Sequence, residues 1–352
     1  MATAYDHPMG ERPPVYIVTG GAGFIGAALV ATLQRDEPEA RIHVVDDFST
    51  GSHANLVEQC DRLGCGPFRG SVMPDAVGDL NWQPALIGLE PTAVFHLAAI
   101  TDTLETDERK MLAVNTESFR DLLDACLECA VPLVYASSAA TYGSPAQADR
   151  SEPFPEDAAG SPNNVYGFSK WLMDVESSRV LEEARAAGED APHVVGLRYF
   201  NVFGPGEARK GRMASMVHHL THQILGGQRP RLFEHGHHER DQVHVDDVVA
   251  GTLAAARSGV TPGVYNLGSG VATSFNDMAD AINEGLGTGG GPEYIPMPRE
   301  MVPTYQHFTL ADLTRTRSAL GWAPALDPLD AIRDTARWIA SRTADAPTPD
   351  AP

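Results

Sequence analysis

Val15-Tyr-Ile-Val-Thr19, Gly20-Gly-Ala-Gly23-Phe-Ile-Gly26 and the residues 27–34 that follow read as an apolar strand, a glycine turn and a helix without interruption. Glycines spaced at 20, 23 and 26 let the backbone turn tightly, approach a pyrophosphate and seat the helix close to the sheet, with the helix N-terminus facing the anion. The next apolar run, Arg41-Ile-His-Val-Val45, ends at Asp46, 20 residues beyond Gly26. An acid there belongs on the hydroxyls of an adenosine ribose, and its charge disfavours a 2′-phosphate. A glycine turn alone is weak; with both strands and the acid in place it specifies a dinucleotide-binding unit.

Outward from this unit the pattern keeps alternating. Strands are read at 93–97 and 132–136, with a helix at 109–129 between them, then a long helix after Asn164 and a strand at 193–198. This alternation predicts an α/β fold built on a Rossmann-type, doubly wound parallel sheet. Beyond it the rhythm changes to helices near 212–225, 246–257, 274–285 and 327–340 separated by short strands. The expected organisation is a dinucleotide-binding domain at 15–199 and a smaller, mainly substrate-binding C-terminal lobe at 200–342. The ends, 1–14 and 343–352, are polar and Pro-bearing and are expected to be disordered tails.

The 352 residues carry a net charge of −21, which excludes a broad nucleic-acid surface. Neither a signal peptide nor a run of about 18 apolar residues is present, so a cytoplasmic location away from membranes is expected. Cys60, Cys65, Cys126 and Cys129 read as free thiols, and no metal is expected. One stretch reverses the charge: residues 198–240 hold seven bases, Arg198, Arg209, Lys210, Arg212, Arg229, Arg231 and Arg240, against three acids. Such a stretch is either a solvated loop or a pocket for a small diphosphate. The chain has 23 arginines and only the lysines Lys110, Lys170 and Lys210. Since guanidinium does not deprotonate in proteins, the retained lysines are candidates for proton chemistry.

Tyr166 and Lys170, in Asn164-Val-Tyr-Gly-Phe-Ser-Lys170, lie four residues apart on one helical face. An ammonium beside a phenol stabilises the phenolate, making it usable as acid or base near neutrality. Ser138, after an apolar strand, adds a hydroxyl at the carboxyl end of the sheet, where ligands of such sheets bind. With Arg198-Tyr-Phe-Asn201-Val-Phe-Gly-Pro205, these residues make the chain, from Val15 to about Ile339, resemble the extended short-chain dehydrogenases/reductases. The segments Lys210-Gly-Arg-Met-Ala-Ser215, Leu232-Phe-Glu234 and Tyr305-Gln-His-Phe-Thr309 are similar to those of its ADP-glycero-manno-heptose 6-epimerases.

That resemblance implies a nucleotide-sugar epimerase, with Ser138, Tyr166 and Lys170 catalytic and Lys210 a second acid/base. It implies a cofactor held by Gly20, Gly23 and Gly26, by Phe24 and Ile25 at its pyrophosphate, and by Asp46 and Asp47 at its ribose. Leu97, Ala98, Ala99, Ile100, Thr101 and Asn115 would line the rest of it, with Tyr166, Lys170 and Val202. Asn201, Arg212, His219, Phe233, Glu234, Arg240 and Tyr305 fall on the substrate side, Arg240 as the diphosphate clamp. Ser49 and His53 stand where the heptose epimerases usually carry lysines for NADP, so NAD is favoured over NADP. The loop 234–240 is one residue short, and Arg212 replaces a common serine. His235, His237 and His238 are expected in a solvated loop.

The expected partners are a small nucleotide-diphosphate sugar and further copies of the chain, as a homo-oligomer, with no nucleic acid and no membrane. Two alternatives stand beside this reading: a UDP-hexose or UDP-uronate 4-epimerase of the same family, and a non-catalytic cofactor-sensing scaffold. A 4,6-dehydratase fits less well, because Ala139 and Ala140 occupy the positions of its usual acid pair.

Overall fold

Val15–Thr19 is the first strand, β1, buried at every residue, and the chain leaves it through Gly20 into helix α1, Phe24–Asp36. The computed structural model describes residues 12–143, 152–299 and 305–344. The remaining strands are β2 (Arg41–Val45), β3 (Ser71–Met73), β4 (Ala93–His96), β5 (Leu133–Ser138), β6 (Val194–Tyr199), β7 (Asn201–Phe203), β8 (Arg231–Phe233), β9 (Glu239–His244), β10 (Gly263–Leu267), β11 (Ala272–Ser274) and β12 (Glu293–Ile295). The remaining helices are α2 (His53–Leu63), α3 (Trp82–Leu89), α4 (Glu108–Leu112), α5 (Ser118–Glu128), α6 (Val165–Ala187), α7 (Met216–Leu225), α8 (Val245–Ala255), α9 (Phe275–Leu286), α10 (Thr314–Leu320) and α11 (Pro328–Ala344).

Seven strands pair in the order β10-β6-β5-β4-β1-β2-β3, every pairing parallel. Strand alternation divides their side chains between two cores: Tyr16, Val18, Val44, Phe95, Val134 and Val195 face one side, and Ile17, Val45, Val94, Leu133, Tyr135 and Val194 the other. Chain order reverses between β1 and β4, and that crevice is where open α/β sheets take ligands.

The sheet is the doubly wound one expected, but the division of the chain at residue 199 is not a clean cut. Strand β10 returns from the second half to pair with β6, and α8 packs against α1. Apolar runs reveal strands without naming their partners, so the return was invisible in the sequence. The smaller lobe has its own core, in which Phe203, Val217, Leu220, Leu232, Phe275, Met278, Ile282 and Ile332 join α7, α9 and α11 to short strands. Its sheets are β11-β9-β7 and β12-β8.

The helix read at 109–129 is α4 and α5 joined by a π-turn over residues 113–117. Helices α2 and α3 and the short β3 had no reading in the sequence. Expectations for the ends fall mostly on residues 1–11 and 345–352, outside the described residues, though α11 runs on to Ala344. No helix among the described residues is long and apolar enough to cross a membrane.

Gly26 is where the turn tolerates least. A Cβ there would stand 2.1 Å from the carbonyl oxygen of Gly20, whereas at Gly78 its nearest neighbour is 3.5 Å away. Gly26→Ala is therefore expected to cost about 1–3 kcal/mol and lower the thermal midpoint by several degrees, with Gly78→Ala near neutral. Equal midpoints for the two variants in a thermal melt would contradict this.

Candidate active site

Gly20 has φ +66°, and a Cβ on it would meet the backbone nitrogen of Ala98 at 2.6 Å. Only glycine lets the turn close against the loop after β4. Gly23 precedes α1 without a side-chain cap, and the first turn of α1 holds no acid, so its N–H groups are open to an anion. Asp46 is buried, its carboxylate accepting the Ala22 N–H and the Phe48 N–H, each at 2.9 Å. Burial raises its pKa and these bonds oppose the rise. Asp46 thus braces the glycine turn as well as standing at the end of β2. Asp47 is exposed and accepts from the Ser49 amide and hydroxyl. The tight turn, the open helix start and the carboxylate beside it fit a dinucleotide.

Across the crevice, the Leu97 N–H donates to the Thr19 carbonyl at 3.0 Å and the Ala98 N–H to the Thr19 hydroxyl at 3.3 Å. Leu97, Ala98, Ala99 and Ile100 are half-buried and Thr101 is exposed. Asn115, fully buried in the π-turn, accepts the Ile100 N–H at 2.8 Å and donates to the Ile100 carbonyl and the Ser169 hydroxyl, each at 3.0 Å. It therefore ties the loop after β4 to helix α6.

Helix α6 starts with Asn164 as its cap, the side chain accepting the Gly167 N–H at 2.8 Å. A Cβ at Gly167 would lie 2.6 Å from the Ala140 carbonyl, so glycine lets the helix press on the turn after β5. Ser138 ends β5, accepts the Ala140 N–H at 3.1 Å and hydrogen-bonds the Tyr166 side chain. One turn along, Lys170 is buried, 2% exposed, and donates to the Ala136 carbonyl at 2.8 Å. Burial pushes its ammonium down to about 8, with Asp174 opposing. Burial also raises the Tyr166 phenol above its ordinary value, and the Ser138 hydrogen bond pulls it back. In the chain alone, desolvation of the ring outweighs that hydrogen bond.

Behind this trio lies a buried group that the sequence reading did not single out for chemistry. Asp174 pairs with Arg198 at 2.8 Å and accepts the Tyr135 hydroxyl at 3.0 Å. Arg198 also donates to the Glu156 carbonyl at 2.6 Å and the Tyr142 hydroxyl at 3.2 Å. The signal was present: Asp174 continues the Tyr166, Lys170 spacing by another four residues, and Arg198 interrupts an apolar strand.

Most charges of the basic stretch are used singly. Arg198 pairs with Asp174, Arg209 with Glu58, Lys210 with Glu207, Arg212 with Asp102 and Arg231 with Glu293. Arg229 donates to the carbonyls of Gly291 and Pro292. Lys210 has its ammonium 5.0 Å from the centre of the Phe24 ring, at the start of α1. Arg212 is largely exposed and reaches the loop after β4 through Asp102, while its carbonyl lies 3.3 Å from a ring nitrogen of His219.

Arg240 differs. It is 7% exposed, donates to the Glu239 carbonyl at 3.0 Å, lies 5.2 Å from the Tyr305 ring centre and 5.9 Å from that of Phe275, and among the described residues has no carboxylate partner. Burial lowers its pKa against the attraction of Tyr305. Phe233 meets Tyr305 edge-on at 6.0 Å. Glu234 is exposed, with φ +54°, and its carboxylate lies 3.7 Å from His238. Asn201 accepts from Thr309, and Val202 is half-buried.

The histidine loop is only partly solvated. His235 and His237 are exposed, but His238 is buried, its ring nitrogen 3.0 Å from that of His307 and its ring centre 5.0 Å from that of Tyr305. The loop folds back over Tyr305, which lies far off in sequence, and takes His238 with it.

Residues 16–268 match the NAD dependent epimerase/dehydratase family. Among solved structures, the ADP-L-glycero-D-manno-heptose-6-epimerase of Helicobacter pylori is 31% identical, with a TM-score of 0.78 over 94% of this chain and 97% of that one. The UDP-glucose 4-epimerase of Thermotoga maritima, solved with UDP-glucose, is 26% identical, with a TM-score of 0.79 over 94% and 99%. A UDP-glucose-4-epimerase from Stenotrophomonas maltophila, solved with NAD and formylated UDP-arabinopyranose, is 25% identical, with a TM-score of 0.79 over 95% and 100%.

The two buried arginines should respond oppositely to neutral replacement. Arg198→Met strands the Asp174 carboxylate and is expected to cost about 3–5 kcal/mol. Arg240→Met removes a buried cation that no carboxylate among the described residues neutralises, so the thermal midpoint should stay level or rise. A comparable fall for both in calorimetry would mean that Arg240 supports the fold.

Proposed function

Because the chain belongs to the NAD dependent epimerase/dehydratase family, we propose that it is a nucleotide-sugar epimerase that inverts carbon 6 of an ADP-glycero-manno-heptose. The sugar is oxidised transiently to a ketone, and hydride returns to the opposite face. The observation that carries the nucleotide-sugar reading is Arg240: a guanidinium kept buried beside aromatic rings, with no carboxylate partner among the described residues, suits a diphosphate that arrives with the substrate. The heptose is supported by the 31% identity with the Helicobacter enzyme along nearly the whole of both chains and by Lys210 standing over Phe24 beside the glycine turn.

In this reading Tyr166 takes the proton of the reacting hydroxyl as the ketone forms and returns it on reduction. Ser138 holds the same oxygen through its hydroxyl. Lys170, fixed on the Ala136 carbonyl, supplies the positive charge that favours the phenolate. The bound dinucleotide supplies the hydride acceptor and donor, and in its oxidised form adds positive charge at the site. It would be held by Gly20, Gly23, Gly26, Phe24 and Ile25 at the pyrophosphate, by Asp46 and Asp47 at the ribose, and by the 97–101 loop, which Asn115 braces. Rotation about the bond to the exocyclic carbon presents the other face, where Lys210 is the second acid/base. Phe233 and Tyr305 flank the nucleotide diphosphate with Arg240, and Asn201, Val202, Arg212, His219 and Glu234 border the sugar. NAD is favoured over NADP, because the Asp46 carboxylate stands where a 2′-phosphate would be repelled.

The test is turnover of ADP-heptose against UDP-glucose, UDP-glucuronate and dTDP-glucose, with inversion read by NMR. ADP-heptose should be the substrate; turnover of a UDP sugar alone would overturn the heptose assignment and favour a 4-epimerase. Tyr166→Phe should lose about 10²- to 10⁴-fold in kcat while binding cofactor normally. Lys210→Arg keeps charge but cannot exchange a proton, so kcat should fall with one face of the ketone affected more. An unchanged kcat would leave Tyr166 serving both faces. Titration calorimetry of the cofactor-free protein should show NAD binding at least as tightly as NADP.

A further inference from the structure

We propose that Asp174 is a positioning residue for Lys170: its carboxylate, one helical turn further along α6, keeps the buried lysine charged and aimed at the Ala136 carbonyl, while Arg198 keeps that carboxylate ionised. The proposal rests on the reading of Lys170 as the cation that supports the Tyr166 phenolate.

The geometry is specific. Lys170 and Asp174 stand at i and i+4 on one helix face, 2% and 1% exposed. The groups facing them from the sheet are His96 on β4, Tyr135 on β5 and Arg198 on β6, with Tyr166 on α6 itself. Burial pushes His96 down to about 3, so it is neutral over the working pH range. Burial holds Tyr135 and Tyr166 above their ordinary values, hence protonated in the chain alone. Asp174 is therefore the one anion among the described groups here, and it opposes the burial that brings Lys170 down to about 8.

Left to itself, the carboxylate would be neutralised by the same burial, which raises its pKa. Arg198 opposes this from 2.8 Å, and the Tyr135 hydroxyl takes the other oxygen. Arg198 is fixed in turn by the Tyr142 hydroxyl, the Glu156 carbonyl and the Tyr142 and Trp171 rings, its centre 5.3 and 5.9 Å from theirs. The Glu156 carboxylate turns elsewhere, to the Asn266 N–H and toward Arg315. A clip that merely fastened α6 to the sheet could be apolar and no less stable. A charged one has a further effect, on the neighbouring ammonium.

The sign follows from the charged state required. Lys170 has to keep its proton, so kcat should fall on the alkaline side as the lysine titrates near pH 8. In Asp174→Asn only burial acts on Lys170, and the alkaline limb should move down by about one unit or more, a loss of roughly tenfold or more at pH 8 and above, with KM little changed. Asp174→Glu should restore part of the shift. A limb that stays in place while kcat drops equally at every pH would reduce the pair to a structural clip.

Asp174→Asn leaves Arg198 without its carboxylate, so Asp174→Asn/Arg198→Met, which removes both charges of that pair together, carries the same test if the single variant does not fold. A second readout does not depend on turnover. With only three lysines in the chain, protein labelled with ¹³C at lysine Cε gives few signals, and Lys170 is assigned by its loss in Lys170→Arg. Its titration midpoint should fall in the double variant, and an unchanged midpoint would overturn the proposal. If the midpoint falls but Lys170→Met still turns over substrate, the reading of Lys170 in catalysis fails while the Asp174 coupling stands.

Discussion

Between the backbone at Gly20 and the backbone at Ala98 there is no room for a side chain: a Cβ at position 20 would stand 2.6 Å from the Ala98 nitrogen. That approach brings the turn after β1 against the loop after β4 at the point where strand order reverses. The same turn limits α1, because a Cβ on Gly26 would strike the Gly20 carbonyl. Asp46 then fastens the turn from the end of β2 through the Ala22 amide, and Asn55 from α2 donates to the Ala22 carbonyl at 2.8 Å. A ligand at the crevice thus meets backbone N–H groups whose positions the neighbouring elements have already fixed, which is how a site gains affinity without ordering itself on binding.

The site is built from buried cations in an acidic protein, and each is handled differently. Arg198 has a full carboxylate partner and two aromatic faces. Lys170 has a carbonyl oxygen and, one turn away, an anion already engaged. Arg240 has, among the described residues, a carbonyl, aromatic rings and the Tyr305 side chain but no carboxylate. Under the proposed function, these three degrees of neutralisation would serve three demands. A group that holds structure is best fully paired, a group that supports proton transfer is best poised, and a group that receives a diphosphate is best left short of negative charge. Of the remaining bases of the 198–240 stretch, Arg209, Arg212 and Arg231 are spent on surface pairs of small energetic value, so net local charge was a poor guide to which of them matters.

Strand periodicity and glycine spacing were enough to read the parallel sheet, the turn after β1 and the Tyr166, Lys170 face of α6, because all of these are local: they depend on which residues lie within four or five positions of one another. The return of β10 to the sheet, the burial of His238 against Tyr305 and the Asp174–Arg198 pair could not be read in that way. In each, the partner lies at least 24 residues off along the chain, and the pairing exists only once the sheet has been assembled. The π-turn at 113–117 was hidden for a related reason. Its sequence is helical by pattern, and the extra residue in the turn is accommodated where Asn115 reaches both Ile100 and Ser169.

The sequence by itself therefore determined the residue types that chemistry needs and the elements that carry them: glycines where a Cβ cannot go, a phenol and an amine one helical turn apart, a hydroxyl at a strand end. Tertiary structure decided how readily the phenol and the amine exchange a proton. A lysine in an isolated helix titrates near its ordinary value. Enclosed against β5, with its ammonium on the Ala136 carbonyl and Asp174 behind it, Lys170 is brought down to about 8. Desolvation and the distance to a neighbouring charge set that value, and both are properties of the folded chain alone.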